Sequence, residues 1–508
     1  MTADEAAALY RSRLPAGSHR ALPTHPIDPL NAGRDEPLAH CSLEGLGTQK
    51  FGQFTGYGYG TTPGEAARGA AGELTEETHN CRVLAAAETV TGSYTSLKND
   101  RGGRHVLDPR LMVLPAGSDW TADAPLRWVP VKRLATGEDV WVPAEFVAIK
   151  PGQVVGGKPL RDELTVPITN GLGAGTSPEM AVAHGLLELL QRDGNGTRFR
   201  ALDRHVAVDL GDRLLLSEDC RGLLDRLDAA GLDVTVKLAT TQFGLTNVYV
   251  QGPPRVDEPG AFPLLMTAAG EACDPDPARA VRKALLEFAA ARSRKLFMHG
   301  PLDEIQKITP PGYLDRFVAD FKPGDEETRS LDAMTAWVTA DAVELRALFE
   351  THIFPVEKAV PLHELPGAGG EFPTDPLGRL SLLLDRLSGG AAPGGGDFDV
   401  LVHDASPEGD DVFAVKVLAP GLEVEQMSYR RVGERGVRDL TDRGVSWAGV
   451  GEVPAGAWRL PLTPGAEDRL GGPAWLDPAG QDAAVGPFYA LYREPNTHAV
   501  QLALRNEK

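Results

Sequence analysis

The sequence predicts an α/β protein of mixed sheets and related helices, on two observations. Segments with the two-residue period of strands alternate with segments of helical period. One helical pattern is also written three times. Residues 175–193 read GTSPEMAVAHGLLELLQRD, residues 60–77 read GTTPGEAARGAAGELTEE, and residues 276–292 read DPARAVRKALLEFAAAR.

Laid over one another without gaps, Pro63, Pro178 and Pro277 coincide, as do Ala66, Ala181 and Ala280, and Glu73, Glu188 and Glu287. Each glutamate lies ten residues after its proline. Thr62 and Ser177 can cap orphan amides, and the proline that follows supplies a preset φ where no N–H is needed. Thr62 with Glu65 fits a capping box. The run Ala66, Ala67, Gly69, Ala70, Ala71, Gly72 favours close approach to a neighbour over helix propensity.

At the far end Glu73 and Glu76 are three apart, so both carboxylates leave one helix face, and Glu188 and Gln191 repeat the spacing. Acidic ends from different helices can converge on hard cations, which take oxygen ligands. The alternative is solvated glutamates on an acidic protein. The repeat favours an internal duplication whose glutamates share a centre.

Length and charge narrow the class. The 508 residues suffice for two or three domains or one large composite unit. A net charge of −20 argues against a general nucleic-acid binder and fits a basic peptide or a cation–nucleotide complex. The four cysteines, Cys41, Cys81, Cys220 and Cys273, form no CxxC, so neither a zinc knuckle nor a disulfide framework is expected. No run of eighteen apolar residues and no signal-peptide h-region occurs, which points to a cytoplasmic protein without membrane contact.

In chain order, residues 1–40 hold an amphipathic opening and then Pro- and Gly-punctuated turns, an expected arm. The run FGQFTGYGYGTTPGE is a tight strand-to-helix turn, or one whose backbone N–H groups face an anion. It lacks the GK[ST] ending of a Walker loop. Residues 83–97 suggest a strand region, and 128–149 a strand, a turn at Thr136–Gly137 and a second strand. Trp128 and Trp141 read as core or sheet-face aromatics. Residues 165–175 deliver the chain into the second helix, with Asn170 in the turn, as ligand contact or as turn former.

Residues 217–230 predict a helix, 234–238 and 246–251 strands, and 331–350 and 377–387 helices. SGGAAPGGG at 388–396 is a flexible break. Residues 399–403 and 412–418 read as strands, and the last eighty or so as irregular.

These motifs together resemble the YcaO family. The resemblance rests on the helix at 58–76, TNGLGAG through HGLLELLQRD at 169–193, ALLEFAAAR ending at Arg292, KVLAPGLE at 416–423, and the WV…TGE…VPAE segment at 128–145. It implies a YcaO domain over 45–425, an arm at 1–44 and an extension at 426–508. It also implies a central cleft for ATP and Mg²⁺, with Glu73, Glu76, Glu188 and Gln191 as magnesium ligands and Asn170, Arg192 and Arg292 as nucleotide contacts. Carboxylate–Mg²⁺–phosphate bridges let acidic residues hold a triphosphate, and arginine forks suit phosphate oxygens. Three positions depart from the family pattern: Gln191 replaces glutamate, Tyr59 replaces the lysine of the GKG turn, and Gly69 replaces serine.

Family members use ATP to activate a backbone amide of a precursor peptide. A nucleophile adds to the carbonyl, the resulting oxygen is phosphorylated, and phosphate leaves. A side-chain nucleophile gives an azoline, the peptide's N-terminal amine a macrolactamidine, and external sulfide a thioamide. The chain has no leader-presenting fused domain and ends in LRNEK instead of a PxPxP tail. That favours a stand-alone, bottromycin-like member, or one paired with a TfuA-like protein or a second YcaO, with a homodimer possible. A non-catalytic peptide- or nucleotide-binding accessory is the alternative. No residue is named as base; His184, four residues before Glu188, is nearest, with helix packing as the other reading, and His403 is equally ambiguous.

Overall fold

The computed structural model describes residues 1–14, 22–26, 38–49, 52–150, 153, 164–165, 167–196, 200–211, 213–255, 262–322, 324, 326–406, 409–424, 427 and 430–506. Helix α1 (Ala3–Arg13) starts at a capping box made by Thr2 and Glu5. Its Ala6 and Tyr10 pack with Ala71, Ala174 and Val412. The expected arm therefore begins as a docked helix. Of the punctuated stretch after it, β1 (Leu22–Pro26) pairs with β2 (His40–Gln49), and residues 15–21 and 27–37 lie outside the described residues.

Strand β3 (Gly52–Gly60) completes an antiparallel sheet with β2 and turns into α2 (Pro63–Ala86). Here the expected capping box forms by half. The Thr62 hydroxyl accepts the Glu65 N–H at 3.2 Å, but the Glu65 carboxylate accepts from Thr61, from its N–H at 2.8 Å and its hydroxyl at 2.7 Å. The expected strand at 83–97 is shorter than read: α2 runs on to Ala86, β4 covers Val90–Ser93, and Ser93 caps α3 (Tyr94–Arg101).

Strands β5 (Pro125–Arg133) and β6 (Asp139–Pro143) form the expected hairpin, with Gly137 in the turn at φ +73°. The short α4 (Ala144–Val147) follows. Trp128 is fully buried, its indole N–H donating to the Gly92 carbonyl, and Trp141 stacks under Arg101, so both are structural aromatics. Strand β7 (Leu172–Gly175) then feeds α5 (Pro178–Asn195).

Next come β8 (Val206–Asp209), α6 (Glu218–Ala229), β9 (Thr235–Thr240), β10 (Thr246–Gln251) and β11 (Ala269–Asp274); α6, β9 and β10 lie close to the expected bounds, β8 and β11 are not among the expected strands, and β11 feeds α7 (Pro277–His299). Beyond α8 (Leu302–Ile308) and α9 (Asp315–Asp320), the helix expected over 331–350 is two, α10 (Thr328–Thr339) and α11 (Ala342–His352). The physical reason is Asp341, whose carboxylate accepts the Val343 and Glu344 N–H groups while Glu344 reaches back to its own N–H. Strand β12 (Lys358–Pro361) pairs parallel with β8 at the edge of an otherwise antiparallel five-stranded sheet, β11-β10-β9-β8-β12.

Helix α12 (Pro376–Arg386), β13 (Leu401–Asp404) and β14 (Phe413–Leu418) follow, and β4-β5-β13-β14-β7 make a second large sheet with β6 against β5. The last eighty residues are not irregular. They hold α13 (Glu434–Asp442), β15 (Ala448–Val450), β16 (Trp458–Arg459), α14 (Pro464–Leu470), β17 (Ala474–Leu476), α15 (Pro478–Val485), α16 (Tyr489–Tyr492) and α17 (Ala499–Asn506). Such short elements leave little periodicity to read. Their Val437, Leu440, Leu476 and Phe488 share a core with Met334, Trp337 and Phe349 of α10 and α11.

The threefold pattern is thus three strand–turn–helix units: β3–α2, β7–α5 and β11–α7. In each, a strand glycine lies against a helix carbonyl. A Cβ added at Gly58 would stand 1.9 Å from the Ala66 oxygen, at Gly173 2.1 Å from that of Ala181, and at Gly270 2.1 Å from that of Ala284. Strand and helix backbones touch where no side chain fits, at the aligned alanines Ala66 and Ala181 in the first two units and one turn later, at Ala284, in the third.

Candidate active site

The strands that precede the helices also hold the glutamates. The Tyr57 N–H of β3 donates to Glu73 at 2.6 Å, and the Ala174 N–H of β7 donates to Glu76 at 2.7 Å. The Gly171 N–H, just before β7, donates to Glu188 at 2.9 Å. Each carboxylate therefore has one oxygen anchored by rigid backbone.

The carboxyls are close enough to repel one another. Desolvation, then Glu77 and more weakly Glu188, push the Glu73 carboxyl up to about 8. Burial, then Glu188 and Glu73, push Glu76 well above the usual carboxylate range. Glu287 of α7 is raised by burial and by Glu271, and it accepts the Tyr59 hydroxyl at 3.1 Å. The sequence singled out Glu287 in the repeat without giving it a role. It lies with Glu271 and feels Lys283, Arg294 and Arg192, the last of which also stands beside Glu188.

Opposing cations are few and partly committed. Arg192 pairs with Glu271 at 2.5 Å and stands 3.8 Å from Glu188, and Asn195 also donates to Glu271. Lys416 of β14 is buried, feels the charge of Glu188, and donates to the Ile168 carbonyl at 2.5 Å; burial pulls its pKa down to about 7. Its signal in the sequence is a lysine inside an apolar strand. Arg294 of α7 acts on both Glu73 and Glu287.

The remaining expected site residues are placed as follows. Gln191 is buried on α5, and Asn170 is buried in the turn before β7. Asn170 lines a small, partly open pocket with Thr165, Glu145, Lys416 and Arg431. Arg292 donates to the Leu265 carbonyl at 3.2 Å. His184 is not packed in a core: its side chain is 54% exposed, 3.8 Å from Glu76, and the surrounding protein with Lys283 and Arg379 pushes its pKa down. His403 is buried in β13 and burial pulls it down to about 4, so it is a neutral sheet residue.

Among the described residues, no three His, Cys, Asp or Glu side chains form a ready metal cage. Magnesium does not need one, because it keeps waters and binds through one or two carboxylates plus phosphate oxygens. Buried carboxyls pushed toward protonation for want of countercharge are the donor set such an ion would relieve, so the residues fit it.

The family model described as YcaO cyclodehydratase, ATP- and Mg²⁺-binding, matches residues 57–423. The chain belongs to the YcaO family. ATP and Mg²⁺ are accordingly the cofactors of this YcaO domain. An uncharacterised protein of Methanothermobacter thermautotrophicus is 27% identical over 336 residues, 65% of this chain and 73% of its own length. A protein of the tfuA 3′ region of Rhizobium leguminosarum bv. trifolii is 26% identical over 227 residues, 44% of this chain and 50% of its own.

The YcaO fold is also that of a heterocyclase solved with substrate and cofactor, at a TM-score of 0.60 and 16% identity over 87% of this chain. The YcaO protein of Methanopyrus kandleri, bound with AMPPCP and Mg²⁺, superposes with a TM-score of 0.53 and 20% identity, covering 85% of this chain and 94% of its own. The chain spans half the length of the Rhizobium relative and 55% of the heterocyclase.

Proposed function

We propose that this chain activates a backbone amide of a ribosomally made precursor peptide at the expense of ATP, giving an azoline or a macrolactamidine by loss of water. The observation that carries the reading is the convergence of Glu73, Glu76 and Glu188, each anchored by a backbone N–H in or beside a strand, with Glu73 and Glu76 buried against one another's charge. In this reading those three and Gln191 hold Mg²⁺, and Asn170, Arg192 and Arg292 contact the nucleotide. Bound ATP supplies a phosphoryl group that turns the amide oxygen, otherwise a very poor leaving group, into phosphate. The chain's own part is orientation and charge neutralisation. The reaction belongs to a reducing cytoplasm, in keeping with four free cysteines; among the described residues no helix is long and apolar enough to cross a membrane.

A second reading, thioamide formation with a TfuA-like partner, is favoured by the relative encoded beside tfuA. Mass spectrometry of the precursor peptide incubated with the chain, ATP and Mg²⁺, with and without sulfide, separates them. Loss of one water without sulfide is the expected result, and fragmentation then distinguishes azoline from macrolactamidine. Sulfide-dependent exchange of oxygen for sulfur supports the second reading. An unchanged peptide with no ATP hydrolysis, with the TfuA-like partner or a second YcaO protein present, leaves the accessory role.

A further inference from the structure

The chain carries a net charge of −20, yet one small, partly open pocket combines two arginines with apolar walls. Leu187 of α5, Phe372 and Pro373 from the loop before α12, and Leu382 and Leu383 of α12 line it, and Arg279 and Arg379 supply its cations. Leu187 lies three residues along α5 from His184, whose ring stands 3.8 Å from Glu76, so the pocket adjoins the glutamate cluster. Gly367, at φ +82°, lets the loop fold against Phe372: a Cβ there would stand 2.6 Å from the Pro275 carbonyl oxygen and 2.9 Å from the Phe372 ring. The Arg279 guanidinium lies over that ring, 6.0 Å from its centre.

Both arginines are loosely engaged. Arg279 stands 3.8 Å from Asp274 and 3.6 Å from Asp276, and Arg379 stands 3.7 Å from Asp274, all beyond hydrogen-bond length. Each guanidinium carries five N–H groups, and among the described residues neither donates a hydrogen bond. Arg282 on the same helix, by contrast, donates to Asp219. The side chains of Arg279 and Arg379 remain 34% and 42% exposed. Asp274 is a poor countercharge, because burial outweighs both arginines and pushes its carboxyl above the ordinary value. A carboxylate arriving from solvent therefore meets two unspent forks beside an apolar wall.

We propose that this pocket docks the precursor peptide through an acidic residue next to an aliphatic or aromatic one, the carboxylate taken by Arg279 and Arg379 and the apolar side chain lying against Phe372. The inference rests on the peptide-modifying reading above and names the feature by which that substrate is selected.

Fluorescence anisotropy of the labelled precursor peptide on the full chain tests it, beside the same peptide with its aspartates and glutamates replaced by asparagine and glutamine. Arg279→Gln and Arg379→Gln should each weaken the natural peptide roughly tenfold, as loss of one charge-assisted hydrogen bond does, and leave ATP affinity unchanged. Phe372→Ala should weaken it by a smaller factor. The neutralised peptide should bind the wild-type chain about as weakly as the natural peptide binds the double variant Arg279→Gln, Arg379→Gln. Unchanged peptide affinity in the double variant overturns the proposal, as does a loss that the neutralised peptide does not reproduce, or an equal loss of ATP affinity. A double variant that keeps the peptide but loses a TfuA-like partner, or a dimer present in the wild type, assigns the surface to that occupant and also overturns it. A wild-type chain that binds the peptide through these arginines yet leaves its mass unchanged with ATP and Mg²⁺ overturns the enzymatic reading alone. A double variant that modifies the peptide with wild-type KM overturns the docking site alone.

Discussion

Arg435 of α13 forks onto both carboxylate oxygens of Asp193, at 2.6 and 2.8 Å, five residues along α5 beyond Glu188. The pair is buried in polar surroundings. The Glu423 N–H donates to Asp193, and the Glu423 carboxylate accepts the N–H groups of Gly433, Arg435 and Gly436 at the start of α13. The last helices are thereby clamped to the helix that carries Glu188. Arg435→Met should cost about 3–5 kcal/mol in chemical denaturation, because it strands the Asp193 charge, and Asp193→Leu in the same chain should recover much of it. Additive losses would show that the two do not act as a pair.

Glu73→Gln and Glu188→Gln keep shape and remove the charge that a cation needs. ATP turnover should fall roughly 100-fold or more in each, since a metal contact supplies several kcal/mol to phosphoryl transfer. Circular dichroism and thermal melting should be close to wild type. Unchanged hydrolysis in both variants removes them from the magnesium set.

The pH dependence of stability follows from the same carboxyl. Glu73 holds its proton to about 8 in the folded chain but loses it near 4.5 when unfolded. The folded state therefore binds the extra proton between those values, and stability without nucleotide should fall as pH rises through that window. The slope is at most about 1.4 kcal/mol per pH unit for each such group. Glu73→Gln should flatten the profile, and Mg²⁺ with ATP should raise its alkaline side, because metal binding takes the deprotonated form. Melting temperature against pH, with and without Mg²⁺–ATP, reads both.

Gly173→Ala puts a methyl group 2.1 Å from the Ala181 carbonyl oxygen and 2.9 Å from the Gly185 nitrogen. Backbone must move on one side or the other. The expected loss is about 3 kcal/mol or more, and ATP binding should weaken with it because the same strand anchors Glu76 and abuts the anchor of Glu188. A stable, fully active variant would mean that β7 and α5 can separate without harm.

What could be seen beforehand was what the chain states locally. Caps and prolines announced α2, α5 and α7, and the hairpin of β5 and β6 announced itself by alternation and a glycine turn. The meeting of Glu73, Glu76 and Glu188 was accessible through the repeat, because equal offsets from equal starts imply equal places. The influence of Arg294 on Glu73 was not accessible, because helix α7 carries several arginines and which of them acts there depends on how the helix lies against β3. The break at Asp341 was visible as a D-x-x-E box inside a long apolar pattern, and the pattern outweighed it.

The ten-residue interval from proline to glutamate has a mechanical meaning. Each added or removed residue turns everything after it by about 100° around the helix axis. In α2, α5 and α7 the start is pinned by a cap and the middle by backbone contact with a strand glycine, so the helix cannot rotate to absorb the change. One inserted alanine between Pro178 and Glu188 would swing the carboxylate a quarter-turn out of the cleft while leaving composition and helicity almost unaltered. These helices act as gauges: they tolerate substitutions along their outer faces and are exacting about length.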